Sequence, residues 1–388
     1  MSLPGRHSPN EVILPGSTIG ILGGGQLGRM MAMAARSLGY RVQVMDPDPS
    51  CPARFVVDSC FAASFDDVDA AADLARGCDV VTIEIEKIGL DAMRAAAEHS
   101  PVRPDAHVLE IIQNRARQKE WLASQAVPIG EFRVVRSADE LGSAVADIAS
   151  TGRSFLKTTE GGYDGRGQTI IGSPSDSQAA WSYLGADVCV LETEVKISQE
   201  ISVLAARNPR GEVAIFPPSL NHHQDRILDW AVIPAPISSH LAAEATSLAN
   251  QIVQALDVIG LLTVEMFVRS DGKLLVNELA PRPHNSFHST ERACATSQFE
   301  QAIRAVCNLP LGSVEILRPA AIVNLLGEVW LKHTHPRFDA ALSVPGVRLH
   351  LYEKQVPKPG RKMGHLSAIG NTPEEAIARV QQAKAMLD

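Results

Sequence analysis

From Thr18 onward the apolar residues come as a run, then at helical spacing, then as a run again. TIGIL is followed by GGGQLG, by Leu27, Met30, Met31, Ala34 and Leu38 on one helical face, and by RVQVM. That order of periods predicts a strand, a tight turn, a helix and a second strand, a βαβ unit. A helical stretch over 67–76 and the apolar strand DVVTIEIE over 79–86 extend the pattern, so residues 17–112 read as a parallel α/β domain. From about residue 113 short strands joined by tight turns take over: SFLKT, GQTII, VCVLE, EISVLAA, VAIFP, TVEMFV and KLLVNE, with helices over 242–256 and 298–308. This α+β texture sets a second domain over 113–318. Residues 319–388 read as a smaller unit, with strands AAIVNLLG and VRLHLY and a closing helix over 373–387, and residues 1–16 as a flexible tail. No internal repeat or low-complexity tract interrupts the series.

Composition narrows the function classes. The 388 residues are 45% hydrophobic and 21% charged, which fits a globular chain of two or three domains. Lys and Arg total 36 against 44 Asp and Glu, a net charge of −8 without a long basic block. Nucleic acid and anionic membrane are therefore not expected as main partners, and any anion site must be local. Six scattered cysteines (51, 60, 78, 189, 294, 307) contain no C-x-x-C pair, as expected for reduced thiols in the cytoplasm. No apolar run reaches the roughly 18 residues of a membrane span, and Arg6, His7, Asn10 and Glu11 stand where a signal peptide would be apolar.

Two glycine loops carry candidate chemistry. Gly23, Gly25 and Gly28 match a dinucleotide fingerprint, with Asp46 ending the next strand where a ribose-binding acid would sit. An NAD-dependent oxidoreductase, another anion site at the helix start and a plain structural turn all remain open on these residues. The second loop, GGYDGRG (Gly161, Gly162, Tyr163, Asp164, Gly165, Arg166, Gly167), follows the strand that supplies Lys157. Its amides could fold over phosphates. It is not a Walker A loop, since Gln168 replaces the lysine and a strand follows.

The strands TVEMFV and KLLVNE are joined through Ser270, Asp271 and Gly272. A two-residue Asp271-Gly272 loop would set Glu265 opposite Glu278, and a three-residue loop would set it opposite Asn277. Facing carboxylates repel unless a cation lies between them, and two carboxylates with nucleotide phosphates suit Mg²⁺. His284 and His288 are four apart, but Pro283, Asn285 and Ser286 make their segment a loop and not a zinc-binding helix. Adjacent His222 and His223 point to opposite faces of a strand.

With these residues in view, the chain resembles the ATP-grasp superfamily and, within it, the N5-carboxyaminoimidazole ribonucleotide synthetase family. The matching stretches are GGGQLGRM, TIEIE, NRARQK, GGYDGRG, HHQDRIL, VNELAPRPHNS and PGRKMGH, over about nine tenths of the chain. The resemblance implies an ATP-grasp fold with an N-terminal Rossmann-like (preATP-grasp) domain and a small C-terminal domain. It also implies ATP-dependent carboxylation of aminoimidazole ribonucleotide with bicarbonate, through carboxyphosphate, in purine biosynthesis.

By the same match, ATP would meet Arg115, Lys157 and the loop Gly161, Gly162, Tyr163, Asp164, Gly165, Arg166 and Gly167. The adenine hinge would be Glu192, Thr193, Glu194 and Val195, the ribose acid Glu200, with His223, Asn277 and Glu278 completing the nucleotide site. Glu265 and Glu278 match magnesium ligands. Gln26, Leu27, Glu84, Tyr163 and Asn285 would line the acceptor cleft, and Lys354, Arg361 and Lys362 would hold the ribose phosphate. The basic run Lys354, Lys358, Arg361 and Lys362 is itself suited to a phosphate. Arg282 and His284 are candidates for gripping bicarbonate or carboxyphosphate, and Asp164 for orienting the amine. The family is commonly dimeric and would pass its product to a separate mutase. Arg226, Phe287 and Ser289 depart from the family pattern. A sister ligase that joins formate to glycinamide ribonucleotide shares the nucleotide site, and GGYDGRG and HNS favour the carboxylating enzyme.

Overall fold

The computed structural model describes residues 11–148, 152–161, 167–333 and 335–387. Strands β1 (Thr18–Leu22), β2 (Arg41–Asp46), β3 (Ser59–Ala62) and β4 (Val80–Ile83) form an all-parallel sheet in the order β3-β2-β1-β4. The helix Gln26–Ser37 crosses between β1 and β2 and buries Leu27, Met30 and Met31 against the sheet. Asp67 caps the helix Val68–Arg76 by accepting from the Ala70 amide. Two expectations need correction. β4 ends at Ile83, short of the predicted 86, because Glu84 turns its carboxylate back onto the first glycine loop. The tail is also not free up to residue 16. Ile13 is fully buried, its amide donates to the Cys307 carbonyl, and its own carbonyl accepts from the Tyr40 hydroxyl.

A second, antiparallel sheet runs β5-β8-β6-β7, from β5 (Phe132–Val135), β6 (Ser154–Thr158), β7 (Gln168–Ile171) and β8 (Cys189–Thr193). Helices Ala138–Ile148 and Ser177–Leu184 cover one face through Leu141, Val145, Ile148 and Ala180.

The third sheet has nine strands: β9 (Ile197–Arg207), β10 (Val213–Ile215), β11 (Ser219–Gln224), β12 (Ile227–Ile233), β13 (Gly260–Arg269), β14 (Leu274–Ala280), β15 (Ala320–Leu326), β16 (Val347–Leu351) and β17 (Lys362–Ile369). Their order is β14-β13-β9-β11-β12-β15-β17-β16, with β10 beside β9. The C-terminal strands continue the sheet of the middle segment: β15 pairs with β12, Trp230 opposite Val323. This covers a ladder edge that β12 would otherwise expose. The helix Ser239–Ala255 packs Ala245, Ala249, Ile252 and Val253 on one half of the sheet, and Pro373–Ala385 packs Ala376, Val380 and Ala383 on the other.

Register in the β13–β14 hairpin decides what reaches the cleft. The loop is the three-residue one: Arg269 N–H donates to the Lys273 carbonyl and Gly272, at φ +81°, returns its amide to Arg269. Glu265 nevertheless stands opposite Glu278, because the register shifts by one between Glu265 and Met266 and leaves Asn277 as an extra residue. The bulge resets the in-out alternation. Val276 stays in the core while Glu278 turns to the cleft.

Candidate active site

The first glycine loop binds the protein's own carboxylates. Gly25 and Gly28 amides donate to the two oxygens of Glu84 at 2.8 and 2.9 Å, and the Gly24 amide donates to Asp46 at 2.7 Å. A Cβ at Gly25 would sit 2.5 Å from Glu84 Oε1, so only glycine admits that approach. The helix start where a dinucleotide pyrophosphate would rest is thus already filled. Burial pushes Glu84 up to about 7, only partly offset by the two amides.

The phosphate candidates meet around one anion. Glu192 on β8 accepts from Lys157 Nζ at 3.1 Å, with Lys119 Nζ at 3.5 Å and Arg115 Nη1 at 3.9 Å. Burial works against its charge, but Lys119, Lys157 and Arg115 together hold the Glu192 carboxyl at about 2. Lys119 is 2% exposed and was not among the expected site residues. It lies four residues after Arg115 on the helix Arg115–Ser124, so both reach the same side, and that spacing was the available signal. The side chain of Glu192 therefore faces Arg115, Lys119 and Lys157, although its backbone belongs to the expected hinge. Beyond it Thr193 ends β8, Glu194 pairs with Arg153, and Val195 leads to β9.

Across the cleft, His284 Nε2 lies 3.0 Å from Glu265 Oε1 and its Nδ1 lies 2.8 Å from Ser286 Oγ. The buried Gln298 amide fixes the His284 backbone from both sides, accepting from its N–H and donating to its carbonyl, each at 2.9 Å. Burial opposes ionisation of Glu265, yet His284, His223 and Arg282 bring its carboxyl down to about 2. Glu278 is open to the cleft, where the surrounding walls and the Glu265 charge raise its proton affinity despite Arg115. Next along the sheet, His223 Nδ1 meets Glu200 at 2.9 Å; burial disfavours its protonation, but Glu200 and Glu265 raise its affinity for the proton overall. His288 is fully buried, with its Nδ1 3.0 Å from the Gln298 side-chain nitrogen.

Arg282 donates from Nε to Glu86 at 2.8 Å and from Nη1 to the Pro283 carbonyl at 3.0 Å, which fixes its guanidinium plane. Glu86 is a second residue missed at the sequence level, since its partner lies 196 positions away. One cleft of about 480 Å³ joins these parts: Gln26, Leu27, Glu84 and Glu86 on one wall, Arg115, Gly161 and Glu278 on another, with Arg282, Asn285 and Lys362 between them. The Asn285 Oδ1 is buried without a hydrogen-bond partner. Lys354 and Arg361 are not on this wall but belong to the same basic cluster: burial, with Arg361 and Lys362 nearby, pushes Lys354 down to about 8. Gly162, Tyr163, Asp164, Gly165 and Arg166 lie outside the described residues; Gly161 and Gly167, which flank them, both have positive φ.

The three departures from the pattern have structural settings. Arg226 follows Asp225 in the two-residue β11–β12 turn, both at positive φ. Phe287 is buried against Phe216 at 6.1 Å, and Ser289 is fully buried.

Comparison with known proteins assigns this architecture. Residues 17–113 match the ribonucleotide synthetase preATP-grasp domain, 120–299 the ATP-grasp domain and 320–379 the phosphoribosylaminoimidazole carboxylase C-terminal domain. The N5-carboxyaminoimidazole ribonucleotide synthase of Bacillus subtilis is 40% identical over 371 residues, 95% of this chain and 96% of its own. The chain belongs to the N5-carboxyaminoimidazole ribonucleotide synthase family. Among solved members of this synthase family, the Staphylococcus aureus enzyme complexed with ADP superposes with a TM-score of 0.90 at 35% identity, covering 98% of this chain and 100% of that one. The Aspergillus clavatus synthase in complex with ADP and 5-aminoimidazole ribonucleotide gives a TM-score of 0.86 at 31% identity, with coverage of 98% and 100%.

Proposed function

We propose that the chain carboxylates 5-aminoimidazole ribonucleotide with bicarbonate at the expense of ATP, giving N5-carboxyaminoimidazole ribonucleotide, ADP and phosphate. The observation that carries this reading is one cleft lined by Arg115 of the three-cation cluster, Glu278 of the facing carboxylate pair, the fixed Arg282 and Lys362 of the basic cluster. A bicarbonate oxygen attacks the γ-phosphorus, the bond to ADP breaks, and the amine nitrogen then attacks the carboxyl carbon of carboxyphosphate, expelling phosphate and losing a proton.

ATP, bicarbonate and the phosphate of the ribonucleotide are all anionic, so positioning cations is the main task of the protein. Arg115, Lys119 and Lys157 neutralise the nucleotide phosphates, with Glu192 holding the three in place beforehand. Arg282 and His284 grip bicarbonate, and Lys354, Arg361 and Lys362 take the ribose phosphate. Glu84, Gln26, Leu27, Tyr163 and Asn285 shape the acceptor side, and Asp164 orients the amine. Thr193, Glu194 and Val195 serve the adenine, Glu200 and His223 the ribose. Asn277 supports the nucleotide side through the bulge it makes, and the loop from Gly161 to Gly167 covers the phosphates. Glu265 and Glu278 offer paired hard oxygens, with Glu278 in no ion pair among the described residues, a donor set that fits Mg²⁺. When bound there, the ion would neutralise charge on the phosphates.

The same reading places the protein in the cytoplasm as a homodimer that hands its product to a separate mutase. All six cysteines are free thiols, and among the described residues no helix is long and apolar enough to cross a membrane. ADP release measured with Mg-ATP and bicarbonate, with and without aminoimidazole ribonucleotide, tests the acceptor. Release that needs the ribonucleotide is expected; release only with formate and glycinamide ribonucleotide would assign the sister reaction instead.

A further inference from the structure

Away from the cleft, β16 and β17 set two histidines side by side. His350 lies directly opposite His365 in the antiparallel register, and their rings stack at 5.1 Å and 11°. Glu291, on the short helix Thr290–Ala293, brings its carboxylate to the same place: one ligand atom from each of the three residues lies within 4.8 Å of the others. None of the three has a part in the carboxylation site.

We propose that Glu291, His350 and His365 form a binding site for a late first-row divalent cation, Zn²⁺ in the first instance, separate from the catalytic cleft. Two imidazoles and a carboxylate are a zinc donor set, and four-coordinate zinc draws its ligand atoms to roughly 3.3 Å of one another. Closing from 4.8 Å asks for movement on the order of 1 Å, and because the two rings stack nearly parallel, the half-buried His350 must also turn its ring to aim a nitrogen at the cation, while Glu291 is exposed.

The back of the site is already organised. Tyr352 is fully buried, and its hydroxyl lies 2.8 Å from His365 Nδ1. That contact fixes the ring and leaves Nε2 as the ligating atom, the outer-shell arrangement that metal-binding histidines use. Burial also lowers the proton affinity of both imidazoles. Burial pushes the Glu291 carboxyl up to about 7, only partly offset by Arg348 and Arg292 nearby, and no ion pair holds it among the described residues. Glu291 and His350 also line a cavity of about 240 Å³ together with Met30 and Met33 of the helix Gln26–Ser37. The cation would therefore tie the C-terminal strands to the middle segment beside the first domain.

The test uses the full chain stripped with chelator and returned to buffer containing millimolar Mg²⁺ and ADP, titrated with Zn²⁺ by calorimetry and with Co²⁺ by visible absorption. One Zn²⁺ per chain and tetrahedral Co²⁺ bands are expected. His350→Ala should weaken binding by about 100-fold, Glu291→Gln by about tenfold and Tyr352→Phe by about 10- to 100-fold, while Glu278→Gln should leave it unchanged. His350→Gln, with circular dichroism of each variant, separates lost binding from lost folding. Absence of stoichiometric binding overturns the proposal, as does Zn²⁺ that survives in folded His350→Ala or disappears in Glu278→Gln.

Discussion

Glu192 shows how single side chains set the character of the cleft. Surrounded by Lys157, Lys119 and Arg115, its carboxyl is held at about 2 in the folded chain against an ordinary 4.5. A depressed carboxyl stabilises the fold above its unfolded value, and the contribution is lost as pH falls through the folded one. The difference corresponds to about 3 kcal/mol. Glu192→Gln should cost that order of stability near neutrality, and urea unfolding across pH should show its gap from the parent narrowing between pH 4.5 and 2. A gap independent of pH would mean that the three cations do not depend on this charge. Arg282 is the matching test on the catalytic side. Arg282→Ala should lower kcat by about 10²- to 10³-fold, as removal of a preorganised charge donor does, while calorimetric ATP affinity stays within about threefold, well under 1 kcal/mol. Turnover at the parent rate would contradict the assignment. The place of Arg282 in the cleft was legible from its position after Glu278, whereas its pairing with Glu86 was not, since nothing local in TIEIE tells which acid meets an arginine from another segment. Lys119 was concealed by its chemistry: a lysine in a polar helix reads as solvated, and only the i, i+4 spacing from Arg115 hints otherwise.

At the scale of elements, turns and bulges decide which side chains reach the cleft. The facing of Glu265 and Glu278 was anticipated, but from a two-residue loop. The hairpin has three loop residues, and the Asn277 bulge restores the pairing. Alternation of apolar residues reveals strands well and bulges poorly, because one extra residue changes the phase without changing the composition. Strand β4 erred for a related reason: the apolar pattern continues past Ile83, while Glu84 leaves the strand to satisfy two glycine amides. That contact makes a sharp prediction. Gly25→Ala would set a Cβ against the Glu84 carboxylate and should destabilise the fold by about 1–3 kcal/mol, while raising KM for the ribonucleotide more than KM for ATP. Equal KM changes would show that the loop does not shape the acceptor side. In the β11–β12 turn the effect should be of opposite sign. Arg226 holds φ +69° where glycine is favoured, so Arg226→Gly should raise stability by about 0.5–1 kcal/mol, readable as a higher thermal midpoint.

For the whole molecule, the decisive feature is that three segments of the chain build one space. The first sheet contributes Glu84 and Glu86, the middle segment Arg115, Glu278 and Arg282, and the C-terminal strands Lys362. The βαβ start and the change of texture near residue 113 were readable from periodicity. The joining of β15 to β12 was not, because pairing between distant strands leaves no local signature. If bicarbonate itself becomes phosphorylated in this cleft, its oxygen is the atom to follow. With ¹⁸O-labelled bicarbonate, Mg-ATP and aminoimidazole ribonucleotide, the phosphate released should carry one labelled oxygen per turnover, transferred when the amine displaces it from carboxyphosphate. Unlabelled phosphate formed in step with carboxylated product would mean that ATP is cleaved by water and would contradict the mechanism.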